Sequence, residues 1–312
     1  MAVYTQVSAE EMAELLTRFD VGTLVSAKGI AEGVENSNFL LDTTCARYIL
    51  TLYEKRVDTA DMPFFLALLD HLADRQLPVP RAIRDRSGQQ MQSVAGRPAC
   101  LIEFLPGVSV TTPTPVHGRA IGESLGKMHA ALADFAPSRR NTLGLSEWHE
   151  LADRCGDDLD AISAGLKQRI ADELAWLDVN WPRDLPVSVV HADLFPDNVL
   201  MRGDSVGGMI DFYFACTEVR AWDLAVTHAA WSFASDGSNF RADIGDAIIA
   251  GYEAVFGLRD AERAAFPALA RGACLRFLLT RAWDSLNTPA DALVTRKDPL
   301  AFLARLNHYA AQ

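Results

Sequence analysis

One stretch limits this chain more than any other: Val189-Val190-His191-Ala192-Asp193-Leu194-Phe195-Pro196-Asp197-Asn198-Val199-Leu200. Apolar pairs flank a polar core of the form His-x-Asp-x-x-x-x-Asn. Val187 to Val190 predicts a strand that feeds this core, and Met201 to Ile210 predicts a small hairpin turning at Gly203-Asp204. That hairpin delivers a third acidic position, Asp211, within Ile210-Asp211-Phe212. Asp193, Asn198 and Asp211 thus follow one another at the ends of short strands.

Phosphoryl transfer asks a protein mainly for positioning and charge neutralisation, and these residue types suit it. A carboxylate can meet the attacking hydroxyl, a role assigned here to Asp193; such a base contributes about 10²- to 10⁴-fold in rate. Magnesium prefers oxygen ligands, keeps several waters and bridges substrate phosphates. Asn198 and Asp211 supply one amide oxygen and one carboxylate for that ion. A plain turn is the competing reading, because Asp and Asn hydrogen-bond their own backbone.

The 312 residues allow two domains or one large two-lobed one. A formal net charge of -12 argues against nucleic acid or an anionic membrane surface as the main partner. It does not exclude ATP, whose phosphates need only local cations and magnesium. Cys45, Cys100, Cys155, Cys216 and Cys274 are scattered and form no Cys-x-x-Cys pair, which fits buried thiols in a reducing compartment. No signal peptide is visible in Met1 to Glu11 and no apolar run approaches membrane-spanning length, so a cytoplasmic location is expected.

Along the chain, Ser8-Ala9-Glu10-Glu11 is a capping box opening a helix with Met12, Leu15, Leu16 and Phe19 on one face. Strands are expected over Thr23 to Ile30, Phe39 to Leu41 and Arg47 to Tyr53. Between the first two lie Gly29, Gly33, Asn36 and Asn38. Glycines let backbone N–H groups approach phosphates, although a plain hairpin would use the same residues. Asp61 to Arg75 predicts a helix, Ile83 to Val94 a hairpin, and Ala99 to Phe104 a buried strand broken by Leu105-Pro106-Gly107. Residues 1–105 are therefore expected to form a strand-rich first domain and 106–312 a mainly helical second one. Helices are expected over Gly118 to Phe135, Asp157 to Leu177, Asp223 to Phe233, Asp243 to Phe256, Asp260 to Leu286 and Pro299 to Tyr309. His129, beside the apolar stripe of the first of these, reads as a structural histidine.

The run His191 to Leu200 with Ile210-Asp211-Phe212 resembles the aminoglycoside phosphotransferase and choline kinase superfamily. Leu77-Pro78-Val79-Pro80, Glu103-Phe104-Leu105-Pro106-Gly107, Leu125-Gly126-Lys127-Met128-His129 and Trp222-Asp223-Leu224-Ala225 agree with it, so the resemblance covers nearly the whole chain. Within that superfamily, Tyr48 to Lys55, Ile210 to Cys216, Leu275 to Arg281 and Asn287-Thr288-Pro289-Ala290 look like the bacterial homoserine kinase branch. The resemblance implies a two-lobed, protein-kinase-like α+β fold. It further implies ATP and magnesium, with transfer to the side-chain hydroxyl of L-homoserine in threonine biosynthesis. Glu103 and Leu105 would then border the nucleotide. One departure stands out: the superfamily's basic residue and its Glu partner align with Thr51 and Phe65. Losing both together is consistent, because either charge buried alone would be costly. Lys55, Lys28 or Arg56 is left to meet the phosphates. A zwitterionic acceptor calls for a cation and an anion, which the helix bearing Arg276, Arg281 and Asp284 could supply; the competing reading is a surface ion pair. A kinase for another hydroxyl acceptor (choline, methylthioribose or an aminoglycoside) and a nucleotide-binding scaffold without turnover are the alternatives.

Overall fold

The structure is a computed structural model describing residues 5–30, 36–54, 58–288 and 297–312. The chain falls into two units, Met1–Gly107 with Gly207–Tyr213, and Val108–Val206 with Phe214–Gln312. The first unit thus takes back a short segment from late in the sequence.

In the first unit, α1 (Ala9–Leu16) starts at Ser8, whose hydroxyl accepts from the Glu11 N–H while the Glu11 carboxylate accepts from the Ser8 N–H. This is the expected capping box. The strands are β1 (Leu24–Ile30), β2 (Asn36–Thr43), β3 (Arg47–Tyr53), β4 (Met91–Val94) and β5 (Arg97–Glu103), and α2 (Met62–Asp74) falls between β3 and β4. They form one sheet in the order β1-β2-β3-β5-β4, and each neighbouring pair is antiparallel. Leu41, Leu50, Leu52, Ala99 and Leu101 from the sheet pack with Met12, Leu15, Leu16 and Phe19 as one core. The period of α1 and the alternation along the strands put these residues on facing surfaces. α2 buries Phe65, Leu68, Leu69 and Leu72.

The second unit is mainly helical. Its first helices are α3 (Pro115–Ala131), α4 (Leu145–Cys155), α5 (Leu159–Ile162) and α6 (Leu166–Asn180). Short strands follow: β6 (Val187–Val190), β7 (Val199–Arg202), β8 (Ser205–Met209) and β9 (Cys216–Val219). The last helices are α7 (Arg220–Trp231), α8 (Ala242–Val255), α9 (Asp260–Asn287) and α10 (Leu300–Ala310). β7 and β8 make a hairpin, and the chain passes into the first unit within β8. β6 pairs antiparallel with β9, Val190 opposite Cys216, so the strand feeding His191 is held along its length. Among the described residues no helix is long and apolar enough to cross a membrane.

Several expectations differ from what is found. The hairpin expected over Ile83 to Val94 is instead β4 paired with β5, turning at Ala95-Gly96, and Cys45 is exposed while the other four thiols are buried. The helix expected over Asp157 to Leu177 breaks between α5 and α6, where Gly165 adopts φ +79°. Glycine tolerates that left-handed turn without strain. The helix expected from Gly118 starts earlier, at Pro115, because Thr114 caps it and proline suits the first turn.

α3 and α8 lie unusually close. A Cβ added to Gly122 would sit 2.1 Å from the Ile248 carbonyl oxygen, and one on Gly251 would sit 2.3 Å from that of Arg119. Backbone, not a flexible side chain, blocks both. Gly122→Ala is therefore expected to force the helices apart and to cost about 1–3 kcal/mol, as overpacking does. Thermal or urea unfolding of the variant against the parent measures this; an unchanged midpoint would contradict the close packing.

Candidate active site

The His191–Asp193 turn is built from below by a buried carboxylate. Asp223, in the first turn of α7, is fully buried. Its Oδ2 accepts the His191 N–H and its Oδ1 the Ala192 N–H, each at 2.8 Å. The same Oδ2 lies 3.2 Å from His129 Nε2. A carboxylate only accepts, so His129 donates there, and its Nδ1 pairs with the Tyr252 hydroxyl at 2.8 Å. His129 is thus satisfied on both sides inside the fold. Burial pushes the Asp223 carboxyl upward, but the hydrogen bond and charge of His129, with His191, bring it net below its ordinary value.

This grip matters because Ala192 has φ +65°, a left-handed conformation that an L side chain disfavours by roughly 1–2 kcal/mol. Such a residue persists only where its surroundings hold it. Asp223 takes its N–H, and Arg276 Nη1 donates to its carbonyl oxygen from α9. Farther along the loop, Trp231 Nε1 donates to the Leu194 carbonyl at 2.9 Å.

Asn198 closes the loop on Asp193. Its Nδ2 donates to the Asp193 carbonyl at 2.8 Å and to Asp193 Oδ2 at 3.0 Å. Both partners are acceptors, which fixes the amide nitrogen on that side and turns Oδ1 the other way. The donor set fits a magnesium ligand: an amide oxygen directed away from the carboxylate it steadies. Asp211 follows β8 in the other unit, is half-buried, and has φ +66°. Like Ala192 it occupies the left-handed region, which Asp enters more readily than Ala. Among the described residues no three His, Cys, Asp or Glu side chains gather into a metal site of their own. An ion held by one or two side chains plus substrate phosphates needs no such cluster.

The remaining candidates are distributed as follows. Gly29 lies opposite Phe39 in the β1–β2 pair, and Asn36 and Asn38 stand opposite Tyr53 and Thr51 in the β2–β3 pair. Asn38 Oδ1 accepts from the Thr51 hydroxyl at 2.7 Å. Gly33, Lys55 and Arg56 lie outside the described residues, whereas Lys28 is exposed on β1. Glu103 ends β5, and its carboxylate accepts the Arg81 N–H at 3.1 Å; Leu105 follows, half-buried. Phe65 is fully buried.

On α9, Arg276 and Arg281 have different surroundings. Arg276 is only 2% exposed. Its guanidinium lies 4.3 Å from the Phe277 ring centre, 5.2 Å from that of Phe214 and 5.7 Å from that of Trp222. It holds the loop from inside. Arg281 is half-buried, lies over the Phe302 ring and donates to the Asp298 carbonyl. Burial, with the charge of Arg305, pushes Arg281 down to about 10, opposed by the nearby Asp197 and Asp193. It therefore stays charged at neutral pH on the Asp193 side of α9. Asp284 is half-buried one turn on. Sequence reasoning missed the loop contacts of Trp231 and Arg276. The signal for Arg276 was its place inside the apolar run Cys274-Leu275-Arg276-Phe277-Leu278-Leu279.

The model of the phosphotransferase enzyme family matches residues 26–265. The chain belongs to this phosphotransferase family.

Homoserine kinase of Zymomonas mobilis is 57% identical to the phosphotransferase over 311 residues, covering 99% of this chain and 97% of its own. Homoserine kinase of Xanthobacter autotrophicus is 51% identical over 311 residues, covering 100% and 97%. An amicoumacin kinase structure overlays with TM-score 0.74 at 15% identity, covering 97% of this chain and 93% of its own. Choline kinase from Cryptosporidium parvum overlays with TM-score 0.70 at 16% identity, covering 97% and 95%. These two likenesses concern the fold, which is the expected kinase-like α+β class. The phosphotransferase is a kinase with an alcohol group as acceptor.

The depressed Asp223 carboxyl sets a pH dependence. Its contribution to stability is present above the unfolded-state value, about 3.9, and is lost as pH falls through the lower folded value. Asp223→Asn turns an N–H donor toward a site built for acceptors. It is expected to cost about 1–3 kcal/mol near pH 7, with the gap to the parent narrowing below about pH 4. Urea unfolding from pH 3 to pH 8 measures both; a gap independent of pH would contradict the assignment.

Proposed function

We propose that this phosphotransferase transfers the terminal phosphoryl group of ATP to the side-chain hydroxyl of L-homoserine, giving O-phospho-L-homoserine. The observation that carries this reading is the near-full-length identity to homoserine kinases, 57% over 311 residues. Asp193 takes the hydroxyl proton as the oxygen attacks. Its carboxylate is steadied through Oδ2 by the Asn198 amide, and its backbone through the clamp on the preceding peptide. Asn198, through Oδ1, and Asp211 hold magnesium. Bound there, the ion supplies positive charge against the phosphate oxygens. Gly29, Gly33, Asn36 and Asn38 lie over the nucleotide phosphates, Glu103 and Leu105 border the base, and Lys55 or Lys28 meets a phosphate.

The acceptor is a zwitterion, and Arg281 and Asp284 supply the two complementary charges. Arg281 is the better carboxylate reader on α9, because it is charged, only half-buried and close enough to Asp193 and Asp197 to feel both. The flanking ring of Phe302 holds its guanidinium, which limits the freedom lost on binding.

Three experiments test this reading. ATP turnover over a panel of hydroxyl acceptors is expected to be highest with L-homoserine and to require magnesium; Asp193→Asn should lower kcat by about 10²- to 10⁴-fold with ADP affinity within about twofold. Faster turnover of choline or an aminoglycoside would reassign the acceptor. Near-normal kcat in Asp193→Asn would remove the base. Arg281→Ala should raise the homoserine KM about tenfold or more while leaving the ATP KM alone, as expected on losing a charged hydrogen bond. An unchanged homoserine KM would show that another group reads the carboxylate.

A further inference from the structure

The segment that carries Asp211 is fastened on both sides of it within the first unit. On one side, the Met209 N–H donates to the Pro78 carbonyl at 2.7 Å, just past the end of α2. On the other, Tyr213 meets two aromatic residues from different elements. Its hydroxyl lies 2.9 Å from that of Tyr53 at the end of β3. The two rings stand edge to face at 5.3 Å, and the Phe65 ring from α2 stands edge to face with Tyr213 at 5.6 Å. Tyr53 and Phe65 are each 1% exposed. Asp211 sits midway between these two attachments in the left-handed conformation. Asp enters that region more readily than most residues, and the attachments on either side hold it there.

The residues joined here are informative. Thr51, two positions before Tyr53 on β3, gives its hydroxyl to Asn38, and Phe65 is the buried α2 residue. Neither side chain brings a charge. β3, α2 and the segment after Asp211 are linked by rings and a pair of hydroxyls. Ring packing alone leaves Tyr213 free to slide in its own plane; the bond between the hydroxyls removes that freedom, because hydrogen bonds are directional where apolar contact is not.

We infer that Tyr213, held by Tyr53 and Phe65, is a positioning residue for the Asp211 carboxylate, so that an uncharged linkage sets the metal-holding oxygen in this enzyme. The inference rests on the reading of Asp211 as a magnesium ligand.

Tyr53→Phe and Tyr213→Phe keep the rings and remove one hydroxyl each. Tyr53→Phe leaves the Tyr213 hydroxyl without this partner and lowers the melting temperature, Tyr213→Phe lowers it less because the Tyr53 hydroxyl keeps the Cys100 thiol, and the double variant removes both hydroxyls and regains stability. This separates positioning from stability. Calorimetric titration of ADP with and without magnesium, on the two single variants and the double variant, gives the decisive quantity: the gain in ADP affinity that magnesium confers. Affinity for ADP alone should stay within about twofold. The magnesium-dependent gain should fall about fivefold in all three variants, the size expected from one hydrogen bond, including the double variant whose melting temperature has recovered. A gain unchanged in all three would overturn the inference, and so would a gain that follows melting temperature and returns in the double variant. Asp211→Ala serves as the control, because it removes every side-chain oxygen that could hold the ion. If it abolishes the gain while the Phe variants keep it, the inference alone fails. If it leaves the gain intact, the reading of Asp211 as a ligand fails as well.

Discussion

The turn that carries Asp193 depends on one carboxylate beneath it. Asp223 accepts two consecutive backbone N–H groups, those of His191 and Ala192, from a position with no solvent access. An unpaired buried N–H costs about 1–3 kcal/mol, so the turn and the start of α7 are bound to each other. His129 on α3 supplies a third donor to the same carboxylate. Three elements distant in sequence thus meet on one side chain, and Ala192 can adopt a conformation it would not otherwise keep. The payoff is direction: the residue after Ala192 is Asp193.

Charge is handled differently at the other candidate positions. Arg276 is a buried cation satisfied partly by a carbonyl and partly by ring faces, a setting in which a guanidinium is favoured over an ammonium. In the first unit, Thr51 and Phe65, the positions that the resemblance aligns with a basic residue and its Glu partner, are both uncharged and buried. Replacing both members of a buried pair avoids the penalty of leaving one charge alone. The hydroxyl and ring contacts among Tyr53, Phe65 and Tyr213 give that unit a link that neither salt nor pH near neutrality weakens.

Much of this was legible in the residues, and the failures have physical causes. The polar core His191 to Asn198 and the later Asp211 stood out because chemistry needs those side-chain types at those intervals. A strand-rich first third and helical periodicity afterwards mark the two-part α+β division, and the kinase-like class rests on the resemblance carried by His191 to Leu200 and Ile210 to Phe212. The break at Gly165 was hidden because Leu159, Ile162, Leu166 and Ile170 keep helical spacing across it. α4 was passed over because its buried face is narrow: Trp148, Leu151 and Cys155 only. β9 is four residues long and carries Thr217 and Glu218, too short to show alternation. Arg276 illustrates a deeper limit. A charge on a helix looks like a surface or ligand group until its rotation is known, and here the inward face carries it. The hydroxyl pair joins residues 160 apart in sequence, and no local pattern announces such a contact.

In the proposed reaction, the turn held by Asp223 presents Asp193 to the hydroxyl of homoserine beside a magnesium-bound nucleotide. A crystal structure with magnesium, a non-hydrolysable ATP analogue and L-homoserine tests it most directly. The homoserine hydroxyl is expected within about 2.6–3.2 Å of the Asp193 carboxylate, with the metal on Asn198 Oδ1 and Asp211. A hydroxyl resting on a different base, or a metal held by neither of those side chains, would contradict it.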